Sequence, residues 1–444
     1  MKRNVVLNTL DLFAGCGGLT EGFLQSGHYH TIGAVEWERA PRETLKHRLQ
    51  TAWGYNDADN VVVRFDIQRT EELIHGFDDP VYGLHEGLEN LVGGRTVDVI
   101  IGGPPCQAYS LAGRIRDEHG MRNDYRNYLF ECYVKIVKYF KPKFFVFENV
   151  VGLLSAAPDG TLITSRISEA FNGAGYVVTP NFKTALFDVA DYGIPQHRKR
   201  VIILGISKGL FGDKCGKMLD SFYTCILPSL KGKARNVHDA ISDLPALYPL
   251  EFPKKEGKSK MSHMQRDTRY FTNHIPRFHN ARDIAVFKLL AEDIKSGKRE
   301  YVSIERLKKL YTEVTGKVSN IHKYYVLREN EPSNTIPAHL FKDGMRHIHP
   351  DPEQARSITP REAARLQTFP DDFEFLGAAM YQYKMIGNAV PVDFSKIIAE
   401  ALYKLYTDNY EDGRIFHNGW GGKRWGLLRQ RRVVVGNSIE DVIC

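Results

Sequence analysis

The stretch Val97-Asp98-Val99-Ile100-Ile101-Gly102-Gly103-Pro104-Pro105-Cys106-Gln107 decides how the rest of the chain is read. Its first five residues are apolar and β-branched apart from one acid, the pattern of a strand buried on both faces. Two glycines and two prolines then stop the strand, because proline lacks an N–H and has a fixed φ. Cys106 is thereby presented at the carboxyl end of a central strand, where open α/β sheets gather their chemistry. A free cysteine is more often a small buried hydrophobe. Here a rigid turn displays the sulfur, which argues for a nucleophile.

Outward from this turn, strands alternate with helices. Residues 4–12 read as a strand, followed by the turn Phe13-Ala14-Gly15-Cys16-Gly17-Gly18 and a helix beginning near Leu19. The glycines at 15, 17 and 18 do not have the spacing that cradles a pyrophosphate. They suit a ligand without phosphates that needs only close backbone approach. A second strand (31–35) ends at Glu36-Trp37, a third (61–65) at Asp66-Ile67, and a fifth (144–147) at Glu148-Asn149-Val150. Further strands are predicted at 176–182 and 200–206, and a helix over 126–140 that Pro142 ends. An acid about twenty residues beyond the glycine turn is placed to accept ribose hydroxyls, with Trp37 beside it to stack on an adenine. The plainer readings are a surface salt bridge for Glu36 and core packing for Trp37. Asp11, Glu36, Asp66, Cys106 and Glu148 all fall at the carboxyl ends of successive apolar strands. Packing alone does not gather polar groups along one edge of a buried sheet; a ligand crevice does.

The bulk composition bounds the answer. The 444 residues are 43% hydrophobic and 25% charged, enough for one large core and a smaller second domain. No apolar run approaches the roughly eighteen residues of a membrane span, and the N-terminus lacks a signal-peptide pattern, so a cytoplasmic protein is expected. The six cysteines show no CxxC pairing and no histidine partners at zinc spacing, which predicts reduced thiols and no metal. Net charge is +7, but residues 206–345 carry 25 Lys/Arg against 16 Asp/Glu while the remainder sums to −2. A positive excess confined to one segment fits a phosphate backbone, although scattered solvated lysines fit as well.

Across 206–345 the strand–helix alternation fades into basic runs (Lys254-Lys255, Lys258, Lys260) and one amphipathic helix near 283–295. Thr359-Pro360-Arg361-Glu362 is a capping box with proline in the first turn; its helix, through Gln367, reads as a rigid strut. Residues 386–391 precede a last amphipathic helix reaching Tyr406. The expected organisation is therefore 1–205 catalytic and cofactor-binding, 206–345 recognition, 346–410 a return segment completing the first domain, and 411–444 an extension without an assigned role.

Seven blocks, colinear from Leu10 to about Val392, carry a resemblance: Asp11–Gly18, Glu36-Trp37, Asp66-Ile67, Gly102–Ser110, Glu148–Val150, Gln196–Arg200 and Gly387–Pro391. In these, and in Glu331–Ile336, the chain resembles the DNA cytosine-5 methyltransferases of bacterial restriction-modification systems. The departures are Phe65, where many members have glycine, and Ala108-Tyr109, where Pro-Phe is frequent. The resemblance implies an α/β fold with a doubly wound, mostly parallel sheet of the S-adenosylmethionine-dependent (Rossmann-like) type, plus a smaller target-recognition domain. It implies Cys106 as the nucleophile toward cytosine C6 and Glu148 as the acid at N3. Arg198 or Arg200 contacts O2 and the substrate backbone, or phosphate only. It implies S-adenosylmethionine, leaving as S-adenosylhomocysteine, held by Asp11, Phe13, Ala14, Gly15, Gly17, Gly18, Leu19, Glu36, Trp37, Asp66, Ile67, Pro104, Leu129, Asn388, Ala389 and Val390. Phe13 and Trp37 would flank the adenine, Glu36 hold the ribose, Asp66 the adenine amino group, and Asn388 with Val390 the methionine end. The implied partner is double-stranded DNA with the target base flipped out under a closing loop, 107–126. The protein would be a monomer near the nucleoid, sharing its site with an endonuclease that it does not bind. A transfer-RNA cytosine-5 methyltransferase and a catalytically inactive DNA-binding protein are the alternatives. A nicotinamide dehydrogenase fits least, because of the glycine spacing.

Overall fold

The apolar runs form strands because each is buried on both faces, where β-branched and aromatic side chains pack well. They are β1 (Leu7–Leu12), β2 (Tyr29–Glu36) and β3 (Val62–Arg64), then, after a small hairpin of β4 (Phe77–Asp79) and β5 (Gly83–His85), β6 (Val99–Gly102) and β7 (Phe144–Val150). The computed structural model describes residues 5–105, 129–157, 160–257, 259–342 and 344–410. β8 (Tyr176–Val178) and β9 (Leu186–Asp188) pair antiparallel with β10 (Lys199–Ser207), which itself runs antiparallel to β7. The other pairings, β1 with β2 and β6, β2 with β3, and β6 with β7, are parallel. The order is β3-β2-β1-β6-β7-β10-β8, with β9 also on β10. The chain thus winds outward from β1 through β2 to β3 and restarts at β6 on the opposite side of β1. That reversal places a crevice beyond the carboxyl ends of β1 and β6.

Phe65, one of the departures from the family pattern, is fully buried and stacks on Phe77 at 3.8 Å between ring centroids. Among the described residues no helix is long and apolar enough to cross a membrane.

The main core does not stop at residue 205. Phe211, Cys215, Met218, Leu219, Phe222, Tyr223, Ile226 and Leu227 belong to the same buried cluster as the sheet. Tyr223 is the reason: its hydroxyl accepts the Leu204 N–H (2.8 Å) and donates to the Ile202 carbonyl (2.9 Å) of β10. The turn of the charge balance at 206 therefore precedes the end of the core by about a helix and a half of chain. The last helix, Val392–Asn409, returns to the sheet and packs on helix Gly18–Gln25. A Cβ at Gly22 would lie 2.4 Å from Ser395 Cβ, so only glycine permits this approach.

The intervening segment holds the hairpin β11 (Leu247–Glu256) and β12 (Ser259–Gln265) and two helices, Ala281–Lys295 and Ile304–Thr315, which share a small core around Phe287, Leu290, Leu307 and Leu310. The strut is present as helix Pro360–Leu366, with both capping-box bonds between Thr359 and Glu362. Glu362 also accepts Arg356 Nη1 (2.7 Å) and Nη2 (2.6 Å), an ion pair with no exposed surface to speak of. Around it stand His349 (Nε2 3.6 Å from Glu362), His274 (Nδ1 3.0 Å from Thr359 Oγ1) and His279 (Nε2 3.1 Å from Ser357 Oγ). Buried charge costs several kcal/mol unless paired; Arg356 supplies the pairing within the return segment, while His274 and His279, through Thr359 and Ser357, join the recognition segment to it.

Candidate active site

At the crevice the chain leaves β1 through Phe13, which has φ +61°, and turns through Gly15 and Gly17 into helix Gly18–Gln25. Positive φ at 15 and 17 favours glycine. Gly18 is small for a different reason: its missing Cβ would lie 2.6 Å from the Val390 carbonyl and 3.0 Å from Ala389 Cβ. The glycine turn and the segment Asn388-Ala389-Val390 are thereby pressed together, with Asn388 exposed. Ala14, Leu19, Ile67, Pro104 and Leu129 are buried.

Glu36 ends β2 and spans the turn. Its Oε2 accepts the Gly15 N–H (2.8 Å) and its Oε1 the Glu38 N–H (2.7 Å). Burial pushes its carboxyl up to about 7 against the pull of those two N–H groups. Asp11 is wholly buried and likewise pushed up to about 7 by burial, opposed by Thr20. Thr20 Oγ1 donates to Asp11 Oδ2 (2.5 Å), while Oδ1 has no partner among the described residues. Trp37 is 51% exposed, which excludes core packing and leaves a ring face for a ligand. Asp66 is half-buried and accepts the Gln68 N–H at 3.0 Å.

On the other side of the switch point, Gly102 passes so close to β1 that a Cβ would lie 2.2 Å from the Leu12 carbonyl. A Cβ at Gly103 would lie 2.6 Å from Glu148 Oε2. Glu148 Oε1 receives Arg200 Nε at 2.7 Å, both side chains being mostly buried. Burial lowers the Arg200 guanidinium from its ordinary range, with Glu148 opposing. Asn149 is buried and donates to the Pro104 carbonyl (3.4 Å). Glu148 and Arg200 thus flank the turn that leads into Cys106. Cys106 and the loop 107–126 lie outside the described residues.

Arg198 departs from expectation. It is 1% exposed and donates to the carbonyls of Ile336, Gly387 and Ala389, each at 2.9 Å. Three of its five N–H groups go to backbone carbonyls and Nε has no partner among the described residues, but a side chain this deeply buried presents no face to a base or phosphate. It is a strut that ties β10 to the return segment, and the placing of Arg198 beside the substrate is corrected accordingly. Strand alternation puts positions 198 and 200 on one face, and so offers no way to tell which of the two arginines enters the crevice.

Three contributors were missed from the sequence. Gln196 Nε2 donates to the Leu366 carbonyl (3.1 Å) and Gln367 Oε1 (3.0 Å), and Gln367 Nε2 reaches the Ile386 carbonyl (2.6 Å). Lys384 Nζ sits 2.7 and 2.8 Å from the two oxygens of Glu38, the residue whose N–H holds Glu36. Nothing local in the sequence announces these partners: Gln196 and Leu366 are 170 residues apart, and Glu38 and Lys384 are 346 apart. Among the described residues no group of three or more His, Cys, Asp or Glu converges as metal ligands would.

Comparison with known proteins gives this geometry its context. Residues 7–404 match the family model of the C-5 cytosine-specific DNA methylases. The chain is 35% identical to Type II methyltransferase M.Bpa9945I of Bacillus paralicheniformis, over 90% of this chain and 99% of that one. It is 30% identical to Type II methyltransferase M.AgeI of Thalassovita gelatinovora, over 89% and 99%. Among solved structures, the fold is similar to that of a protein assigned as a DNA modification methyltransferase encoded within an E. coli prophage. That match has a TM-score of 0.57 and 24% identity, over 90% of this chain and 99% of the other.

Proposed function

This chain belongs to the C-5 cytosine-specific DNA methylase family, and from that premise we propose how its own residues carry out the methylation of cytosine in DNA. It is a DNA cytosine-5 methyltransferase that uses S-adenosylmethionine. The crevice suits that donor. Each oxygen of Glu36 accepts one backbone N–H and keeps a lone pair for a ribose hydroxyl. The half-exposed Trp37 and the half-buried Phe13 offer ring faces for adenine, and Asp66 an acceptor for its amino group. Val390 and Ala389, pressed on Gly18, close the methionine end together with Asn388. When bound, the donor supplies an electrophilic methyl group.

Cytosine C5 is a poor nucleophile because its electrons are delocalised. In our reading the Cys106 thiolate adds to C6 of a cytosine turned out of the duplex. This breaks the 5,6 double bond and leaves C5 enamine-like. Negative charge then grows toward N3 and O2. Glu148 Oε2, lying over Gly103, holds a proton at N3, while Arg200 grips Oε1 and keeps the carboxyl aimed. With the donor's methyl group bonded to C5 in place of its bond to the donor's sulfur, C5 gives its proton to water, N3 returns its proton to Glu148, and the electron pair of the C5–H bond re-forms the double bond as the thiolate leaves. The observation that carries this reading is the 2.7 Å Glu148–Arg200 pair beside the turn into Cys106.

We further assign to the protein double-stranded DNA as substrate, a cytoplasmic and nucleoid-associated setting, action as a monomer, chemistry without a metal, and protection of host DNA against an endonuclease that it does not bind. The naming of both relatives as type II methyltransferases supports the last point. The recognition role falls on the segment between the end of the main core and the strut. Transfer of labelled methyl from the donor to duplex DNA, read beside transfer RNA, tests the substrate; bisulfite sequencing of DNA from expressing cells identifies the target. Label entering transfer RNA and not duplex DNA would overturn the assignment.

A further inference from the structure

The β11–β12 hairpin has a defect that its strands do not need. Pro249 pairs with His263 and Lys254 with Met261, so Leu250, Glu251, Phe252 and Pro253 together oppose the single residue Ser262. The short side of this bulge is anchored: Ser262 and His263 are buried, Ser262 Oγ meets His263 Nδ1 at 2.9 Å, and it also accepts the His279 N–H at 2.9 Å. The long side is pushed into solvent, leaving Phe252 74% exposed. Around it stand the exposed Lys254, Lys255 and Lys260, with Lys260 Nζ 6.0 Å from the exposed Phe278 ring and Arg266 stacked 4.2 Å over Tyr248. An isolated exposed phenylalanine means little. One held out on a bulge with a fixed base, among cations and other rings, has the make-up of a surface that pairs phosphate charge with base stacking.

We propose that Phe252 is a wedge that stacks against bases of the bound duplex while Lys254, Lys255 and Lys260 hold its backbone. The proposal rests on DNA being the substrate, and it adds a residue that reads base stacking as well as phosphate. Charge complementarity selects the occupant: a protein partner for Phe252 would have to desolvate three lysines beside it.

The test uses the full-length protein, sheared bacteriophage duplex DNA and heparin, a polyanion without bases. Phe252→Ala should weaken DNA binding roughly tenfold with an unchanged salt dependence. Replacing Lys254, Lys255 and Lys260 by glutamine should flatten the salt slope by about 0.9 for each phosphate that is no longer neutralised. In Phe252→Trp, DNA should quench the new indole and heparin should not. Wild-type affinity in Phe252→Ala, or equal quenching by heparin, would overturn the wedge. Methyl-label incorporation by the wild type, followed in the same samples, reports on the methyltransferase chemistry separately. A wedge can fail in an active enzyme, and it can stand in one that binds DNA without methylating it.

Discussion

Replacing Arg198 by methionine separates a structural arginine from a chemical one. The substitution preserves most of the apolar length of the side chain and removes every donor. Three carbonyls then change state. Ala389 keeps a partner, Gln367 Nε2 at 3.2 Å, whereas Ile336 and Gly387 lose the guanidinium. A buried acceptor left unmatched costs about 1–3 kcal/mol, giving roughly 2–6 kcal/mol for the two. Part of this is offset because a buried guanidinium, which burial holds well below its ordinary pKa, no longer has to be desolvated. A loss of about 3 kcal/mol is expected, seen as a lower midpoint in guanidinium chloride unfolding. Methyl transfer per folded molecule, with donor at saturation, should stay within a few-fold of wild type. Arg200→Met should do the reverse, losing turnover through Glu148. If Arg198→Met unfolds at the wild-type midpoint but is as inactive as Arg200→Met, Arg198 is a catalytic contact and its role as a strut is wrong.

Other outcomes follow from the same geometry. Cys106→Ser should retain donor binding and lose methyl transfer; near-normal transfer would remove it as nucleophile. Glu36→Ala strands the Gly15 and Glu38 N–H groups and should raise the donor dissociation constant about tenfold or more, measured by calorimetry. Lys384→Met opens the ion pair with Glu38; half-exposed pairs are worth at most about 1 kcal/mol, so a two- to fivefold faster donor release is expected, converging on wild type as salt rises. Burial pushes His263 and His349 down to about 4 and His279 and His347 to about 3. The unfolded rings take a proton near 6.5, so below that pH the unfolded state binds more protons and stability falls, by up to about 1.4 kcal/mol per pH unit for each ring. Glu362 acts with the same sign at lower pH: burial would raise it, but Arg356 outweighs burial and holds it far below its usual range, so its contribution is intact above about pH 4.5 and is lost in stronger acid. Urea midpoints that stay flat from pH 7 to 5.5 would contradict the histidine reading.

The crevice was legible because strand ends are marked twice over, by β-branched runs that stop and by polar residues that follow them. Asp11, Glu36 and Glu148 were found in this way and stand where a doubly wound sheet puts its ligands. The capping box at Thr359 was equally plain, since its four residues are local. What escaped were facts about direction and partnership. The antiparallel course of β10 has no signature in its nine residues, Lys199–Ser207, because register and direction are decided by neighbours. The end of the main core was placed too early, since charge counts describe surfaces while Tyr223 and its companions act from within. Arg198 was misjudged for the same reason: an arginine at a strand end looks identical whether it meets a ligand or three carbonyls from the far half of the chain.

The closeness of Gly18 to Val390 has a consequence for synthesis. In the site we propose, one wall of the donor's berth is made in the first moments of translation and the facing wall only after some 370 further residues. Nascent chains emerge at about 5–20 residues per second, so no growing chain can grip its methyl donor until the closing helix has left the ribosome. A ribosome stalled before residue 390 leaves an orphaned half-pocket, and two separately made halves, split between the main core and the strut, would have to find each other before either could hold the donor.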